Sequence, residues 1–334
     1  MSSVEVFVIV HNHAHTLRAT LASLAAQSLL PRRVLLVDNA STDSSVSIAE
    51  ELAPTLPLEL IRLAENCGFA AAANEAIRRA RADWVLALNP DCRLDPTFLA
   101  TLLPAAARHP QTGAATGLLM RGLGGKLEPS DQVDSAGMVV NAAGRHLDRG
   151  AGRSPRAGWL RPAWMFGASG AAALYRKEAL DDVAYPVDEV FDENFFAYRE
   201  DADLAWRLQR RGWRCLYWPE ARAWHARGLK PESARRGTPE INRHSVRNRF
   251  LLRWSNADWR WRLACFPWWL LRDLTVGIAC LTVERASLQG LTEARALRRR
   301  QMARGRANTE RARASGWEVV RWFLPGGRTR RVED

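Results

Sequence analysis

Through the first hundred residues, short apolar runs alternate with amphipathic stretches. Val4 to Val10, Arg33 to Val37, Leu58 to Leu63 and Trp84 to Leu88 are rich in Val, Leu and Ile. Such near-continuous apolar runs predict strands of a parallel sheet buried on both faces. Between them, Thr16 to Gln27, Asp43 to Leu52 and Phe69 to Arg81 place apolar residues three or four apart, which predicts helices. The alternation predicts an α/β fold, a doubly wound, mostly parallel sheet flanked by helices. Sheets of this kind bind ligands beyond the carboxyl ends of their strands. The residues at those ends are polar: His11-Asn12-His13, Asp38 to Asp43, Glu65 to Phe69 and Asn89-Pro90-Asp91. Each cluster alone suits a helix cap or a turn. Four of them at four successive strand ends predict a ligand site.

From Met120 to Pro162 the chain is Gly- and Arg-rich, and the alternation in Val133 to Val140 predicts a hairpin inserted over the sheet. Ala163 to Tyr175 is dense in small residues, which allows close backbone approach to a ligand or a neighbouring element. Phe191 to Asp201 leads into a helix through Arg211 that Gly212 should stop. A strand at Arg214 to Trp218 follows and leads to His225, after which Ala226 to Glu240 has the polar character of a mobile loop. Beyond Ile241 the pattern is helical, with Trp254, Trp259, Trp261, Trp268 and Trp269 crowded among arginines. Leu263 to Val283 is long and apolar, but Pro267, Arg272 and Asp273 interrupt it. A charge near the centre of a span costs roughly 2.5 to 3.5 kcal/mol, so the segment is expected to lie in a lipid interface, with core packing of the tryptophans as the competing outcome. The expected division is a body of residues 1–240, with halves 1–119 and 120–240, and a basic, Trp-rich helical tail at 241–334.

Charge sharpens that division. The 334 residues include 48 basic and 36 acidic side chains, a net charge of +12. Residues 1–240 hold 28 of each sign, so the whole surplus lies in the tail. Nearly all the basic residues are arginines, suited to bidentate contact with phosphate. The tail is therefore expected to meet a polyanion, either anionic lipid or nucleic acid, a solvated charged surface being the plain alternative. Five cysteines with no CxxC pair predict a reducing compartment and no zinc site. MSSVEVFVIV has no basic n-region, so no secretion signal is expected. The absence of GxGxxG, GxxxxGK and GxSxG leaves a dinucleotide fold, a P-loop and a nucleophile elbow without support.

Asp91, at a strand end, and the later His225 could share a Mg2+ or Mn2+ ion with the oxygens of a diphosphate. On residue type alone, Asp91 equally suits a turn after Pro90, and His225 a structural role. The series Val37 to Asp43, Asn66 to Asn74, Leu88 to Asp91, Phe191 to Glu193 and Glu200 to Leu208 closely resembles the family-2 inverting glycosyltransferases. Among these it is most similar to the rhamnosyltransferase-like members that build bacterial surface polysaccharides, in the family's order from about Val4 to Arg253. The resemblance implies the GT-A fold, a nucleotide-sugar donor carrying dTDP or UDP, and a divalent cation. It implies that Asp38 accepts from the N3–H of the base, and that the backbone from Val10 to Asn12 and Gly68 flanks base and ribose. It matches Asn89 and Asp91 to the DxD motif, with Asn89 in place of the first Asp, and gives Asp91 and His225 to the metal. Asp201 becomes the base that deprotonates the acceptor, with Glu200, Trp164 and Arg247 on the acceptor side.

A helix N-terminus favours the ionised carboxylate and so works against a base there, whereas burial and the neighbouring Glu200 and Asp203 work the other way. The expected activity is inverting transfer, best matched by L-rhamnose from dTDP-rhamnose, to a saccharide or polyprenyl-linked acceptor. The expected place is the cytoplasmic face of the cell membrane, held peripherally on its anionic surface. Another UDP- or dTDP-sugar transferase is the alternative within the fold. A nucleotidyltransferase should show a Gly-rich, Arg- or Lys-bearing loop after the first strand, which His11 to His15 does not provide. A nucleic-acid-binding protein would use the same arginines with aromatic stacking. The tail has no reader motif, so no nucleic-acid partner is expected.

Overall fold

The computed structural model describes residues 2–226, 238–327 and 329–332. The first half alternates as its apolar pattern dictates: β1 (Val4–Val10), α1 (Ala14–Ala25), β2 (Val34–Asp38), α2 (Ser45–Leu52), β3 (Leu58–Arg62), α3 (Gly68–Arg79) and β4 (Trp84–Leu88). Every residue of β1, β2 and β4 is buried, whereas β3 is half-buried. β3 forms one edge of the sheet, and its Glu59 pairs with Arg33 and Arg79. Charges on an edge strand discourage pairing with another chain.

The chain continues through β5 (Cys92–Leu94), α4 (Phe98–Ala107), β6 (Thr112–Leu123), β7 (Glu128–Ser135), β8 (Met138–Val140), β9 (His146–Asp148), β10 (Ala163–Met165), β11 (Ala172–Arg176) and α5 (Lys177–Val183) to α6 (Glu200–Arg210) and β12 (Arg214–His225). Met120 to Leu123 belong to β6 rather than to an insertion, and the hairpin over the sheet is β6–β7, with β8 and β9 paired beside it.

The main sheet runs β13-β10-β12-β6-β11-β4-β1-β2-β3, with β5 on β12 and β7 on β6, where β13 is Arg330–Arg331. β1, β2, β3 and β4 are parallel, β11 is antiparallel to both β4 and β6, and β12 is parallel to β6. The carboxyl ends of β1, β4, β6 and β12 therefore open on one side. β12 is longer than its apolar pattern suggests. Its register against β6 shifts between Tyr217 and Arg222, around Pro219, which has no N–H for the ladder. The strand then resumes and carries His225 opposite Cys92 of β5.

The described residues beyond 240 share the core of the body. α7 (Pro239–Asn256), α8 (Trp259–Ala264), α9 (Phe266–Thr282), α10 (Leu288–Glu310) and α11 (Gly316–Val320) follow one another. α10 lies tightly on α7, because a Cβ at Gly305 would come within 2.2 Å of the Trp254 carbonyl oxygen. The inward side is tied to the body by buried polar bonds. Asn256 donates to Asp203 at 2.6 Å, Gln301 to Asp192 at 2.8 Å and Trp322 to Gln209 at 3.0 Å. Arg304 pairs with Glu189 and Asp192, and Phe323 packs on Phe166 and Trp206. The tryptophans divide between two surroundings: Trp261 and Trp322 are buried, while Trp259, Trp268 and Trp317 are exposed.

The outward side of α8 and α9 is apolar, with Leu263, Phe266, Trp268, Leu271, Leu274, Ile278 and Leu281 all at least half exposed. Among the described residues no single helix is long and apolar enough to cross a membrane. Phe266–Thr282 and Arg285–Glu310 qualify only as a pair, bent by 118°. Of the expected loop at Ala226 to Glu240, residues 227–237 lie outside the described residues, and Thr238 caps α7 by accepting from the Ile241 N–H.

Candidate active site

The open ends of β1, β2 and β3 are knitted into one rim. Asn12, with φ +58°, donates its N–H to Ser41 Oγ, and its own Oδ1 accepts from the Thr42 and Asp43 N–H groups. Asn39 accepts from the Cys67 N–H and donates to Asn66, which accepts from the Gly68 N–H. Asp38, 5% exposed, accepts from the Ser41 N–H at 3.2 Å. Val10 is fully buried, and its carbonyl accepts from the Asn39 N–H. The polar clusters seen in the sequence thus hold one another, as turn and cap residues do. The structure groups Val10, Asn12, Asp38 and Gly68 at one end of the sheet.

Gly68 opens α3 with φ +83°, and a Cβ there would lie 2.5 Å from the Phe196 ring and 2.6 Å from its carbonyl oxygen. The Phe196 carbonyl accepts from the Ala70 N–H. This contact sets the rim at the ends of β1 to β3 against the segment before α6. That segment is held in an unusual backbone: Phe196, Tyr198 and Arg199 all have positive φ, which costs about 1–3 kcal/mol per residue unless the surroundings enforce it. Asn248, fully buried on α7, does so by donating to the carbonyls of Phe195, Ala197 and Tyr198 at 2.8 to 2.9 Å.

Its neighbour Arg247, expected on the acceptor side, is 9% exposed and turned inward, donating to the Phe195 carbonyl, to Asn248 Oδ1 and to Glu293. It braces the segment before α6. Trp164, also expected on the acceptor side, lies elsewhere in the fold. It is 3% exposed in β10, beside His109 and under the Arg214 guanidinium. Its strand pairs with the start of β12, whereas His225 lies at the opposite end of that strand. Trp164 is a core residue away from the other candidates.

Asp91 and His225 do meet. His225 Nε2 is 3.2 Å from Asp91 Oδ1, and its Nδ1 is 2.8 Å from Asp134 Oδ2. Burial opposes a charge on the imidazole, but the bonds to Asp134 and Asp91 outweigh it and raise its pKa to about 10. Burial likewise acts to raise Asp91, and His225 reverses the direction, holding the carboxyl below its usual range. Sequence reasoning missed Asp134, a fully buried acid in a strand; its position in the run Val133-Asp134-Ser135, a carboxylate facing the core, was the available signal.

Among the described residues no group of three or more His, Cys, Asp and Glu is disposed to hold a metal ion. The pair nonetheless fits a cation that takes further oxygens from its substrate. Two acceptor atoms 3.2 Å apart need a proton or a cation between them. Donation of the other ring N–H to a carboxylate is how metal-binding histidines are oriented.

Glu200 and Asp201 open α6. Asp201 Oδ1 accepts from the Ala202 N–H at 2.7 Å, and a Cβ on Gly170 would lie 3.5 Å from Asp201 Oδ2. The next residue, Ala171, accepts through its carbonyl from the Asn89 N–H at 3.0 Å. The small-residue run therefore joins Asp201 to the strand end that carries Asn89 and Asp91. Burial, then the charge of Asp148, raises the Asp201 carboxyl, while burial and Asp201 raise that of Glu200. Glu200 Oε2 is buried without a hydrogen-bond partner. The helix N-terminus pulls both acids down, as the sequence suggested it would, and desolvation prevails.

Known proteins resemble this chain in sequence and in fold. The sequence is 31% identical over 244 residues to an N-acetylglucosaminyl-diphospho-decaprenol L-rhamnosyltransferase of Mycobacterium tuberculosis, covering 66% of this chain and 75% of that one. The fold is similar to that of Staphylococcus aureus TarS 1-349, with a TM-score of 0.56 and 18% identity over 95% of this chain and 90% of that one. It is also similar to GalNAc-T7 solved with UDP, GalNAc and Mn2+, with a TM-score of 0.55 and 15% identity over 84% of this chain and 58% of that one. These structural neighbours share the GT-A fold. The sequence model of the family described as "Glycosyl transferase family 2" matches residues 5–184, and the chain belongs to that family.

Proposed function

We propose that the protein is an inverting, cation-dependent glycosyltransferase that moves L-rhamnose from dTDP-rhamnose to a saccharide carried on a polyprenyl lipid, acting peripherally at the cytoplasmic face of the membrane. One observation carries the chemistry: a buried acid with a raised pKa, Asp201, is linked through Gly170, Ala171 and Asn89 to the strand end whose Asp91 faces His225. The Mycobacterium tuberculosis relative, named for rhamnosyl transfer to a diphospho-decaprenol acceptor, supports the choice of sugar and acceptor.

In this reading Asp38 accepts from the base N3–H, and the backbone of Val10 to Asn12 and Gly68 borders base and ribose. Asp91 and His225, the latter oriented by Asp134, would hold Mg2+ or Mn2+. A bound cation there offsets the negative charge of the donor diphosphate. Asp201 accepts the proton of the acceptor hydroxyl as the new C–O bond forms and the bond from the sugar to the diphosphate breaks. Attack from the face opposite the leaving group inverts the anomeric carbon. Glu200, whose raised pKa keeps it protonated near neutrality, donates a hydrogen bond to the acceptor sugar.

The test is turnover of dTDP-rhamnose with an N-acetylglucosaminyl-diphospho-polyprenol in the presence of Mn2+, with the anomeric configuration of the product read by NMR. Inverted product from the parent protein, and loss of turnover with unchanged dTDP affinity in Asp201→Asn, are expected. Turnover retained in Asp201→Asn removes that residue from the role of base. A melting-temperature screen of nucleotide diphosphates and nucleotide sugars checks the donor, since a ligand of the native state raises the midpoint.

A further inference from the structure

One face of α7 carries Ser245, Arg249 and Arg253 at successive turns, and Arg199, the residue before Glu200, reaches that face with its guanidinium 3.4 Å from Ser245 Oγ. Arg249 is 8% exposed, and its Nη1 and the Nε of Arg199 are buried without hydrogen-bond partners. Arg249 and Arg253 both face the carboxylate of Asp273 on α9, at 3.8 and 2.5 Å. Two guanidinium groups thus share one acid, and a third, that of Arg199, reaches the same face of α7 from the residue before Glu200. Burial and the neighbouring arginines lower Arg249 to about 9 and Arg199 to about 10, the direction expected where a compensating anion would be welcome.

Beyond Arg253 the groove opens into a cavity of about 440 Å³ between α7, α8, α9 and α10. Its wall combines Trp254, Trp261 and Trp269 with Arg262 and Arg298, and the outward face of α9 next to it is the exposed apolar surface described above. Basic groups near the reacting centre, then an aromatic hollow, then an exposed apolar helix form a graded path from polar to lipophilic.

We propose that Arg199, Arg249 and Arg253 bind the diphosphate of an isoprenoid-linked acceptor, and that the cavity receives the first part of its apolar chain, which leaves over α9. The proposal rests on the reading of the protein as a transferase to a lipid-linked acceptor and adds where that acceptor sits. A fork of N–H donors matches phosphate oxygens, and the aromatic wall removes apolar chain from water.

Farnesyl diphosphate is the probe, titrated calorimetrically into the full chain. It should bind at least about tenfold more tightly than inorganic pyrophosphate or farnesol, and saturating dTDP with Mn2+ should leave that affinity unchanged. Arg249→Gln should weaken farnesyl diphosphate by roughly 10- to 100-fold while dTDP affinity and the melting temperature stay near the parent values. Arg249→Lys should recover part of the loss, because charge returns without the fork. Competition by dTDP, equal displacement by phosphatidylglycerol micelles, or unchanged binding in a folded Arg249→Gln protein overturns the proposal. The two readings fail separately. Nucleotide binding without farnesyl diphosphate binding sinks this subsite alone, and the converse sinks the transferase reading and leaves the subsite.

Discussion

Asp201 shows what burial does to a single carboxyl. Its pKa is raised to about 6, so the ionised form that can take a proton grows as pH rises through that value. The acid limb of kcat/KM should therefore fall near pH 6, about two units above an ordinary Asp. A limb near pH 4 would contradict the burial argument. The same shift has a stability sign. A raised carboxyl favours the native state below its unfolded pKa, and the advantage is lost as pH rises through the folded pKa. Asp201→Asn should therefore melt higher than the parent at pH 8 and no higher at pH 4, as read by calorimetry. Asp134 acts through His225. Asp134→Asn should weaken Mn2+ binding about 10- to 100-fold, the usual effect of losing an orienting partner, measured by Mn2+ paramagnetic resonance with nucleotide present. Motif matching reached Asp91 and His225 because each is local in the text. Asp134 escaped it because only the β6–β7 hairpin brings residue 134 to residue 225.

Among the elements, the segment between Phe195 and α6 depends most on its neighbours. Its positive-φ residues are held from α7 by Asn248 and Arg247 and from α3 by the space that Gly68 leaves. Asn248→Ala strands buried carbonyls and should cost about 2 kcal/mol or more in denaturant unfolding. It should also lower kcat more than it changes the KM for the donor, since it displaces Glu200 and Asp201 and spares the β1–β3 rim. Gly68→Ala should give a comparable loss, through strain at φ +83° and collision with Phe196. The strands β1 to β4 and helices α1 to α3 were legible to within two residues because their apolar period is regular. The continuation of β12 past Pro219 was not, because it depends on a bulge against β6 and on pairing with β5, both tertiary events. The partner of Arg247 was hidden for the same reason: sequence shows a basic residue near a motif, and not the Phe195 carbonyl to which it donates.

For the molecule as a whole, the basic tail has two sides with different surroundings. Its inner side completes the core, so removing residues 254–334 would expose Trp206, Phe166 and the acids that Gln301 and Arg304 satisfy, and the remainder should not fold. The membrane proposal is better tested on the outer side. Replacing Leu263, Leu271 and Leu274, each more than half exposed, with Ser should leave the melting temperature within a few degrees. Co-sedimentation with phosphatidylglycerol vesicles should fall by tenfold or more, and the parent should bind less as salt rises. Unchanged binding by the triple variant would remove α9 as the contact. The 118° bend after α9 then has a kinetic reach. With α9 flat on a bilayer, the bend sets the tilt of the body and the height of Asp201 above the lipid. Encounters with the acceptor become a lateral search in two dimensions. Velocity should then follow the mole fraction of acceptor in the vesicle and stay constant when vesicles of fixed composition are diluted, until the protein itself desorbs.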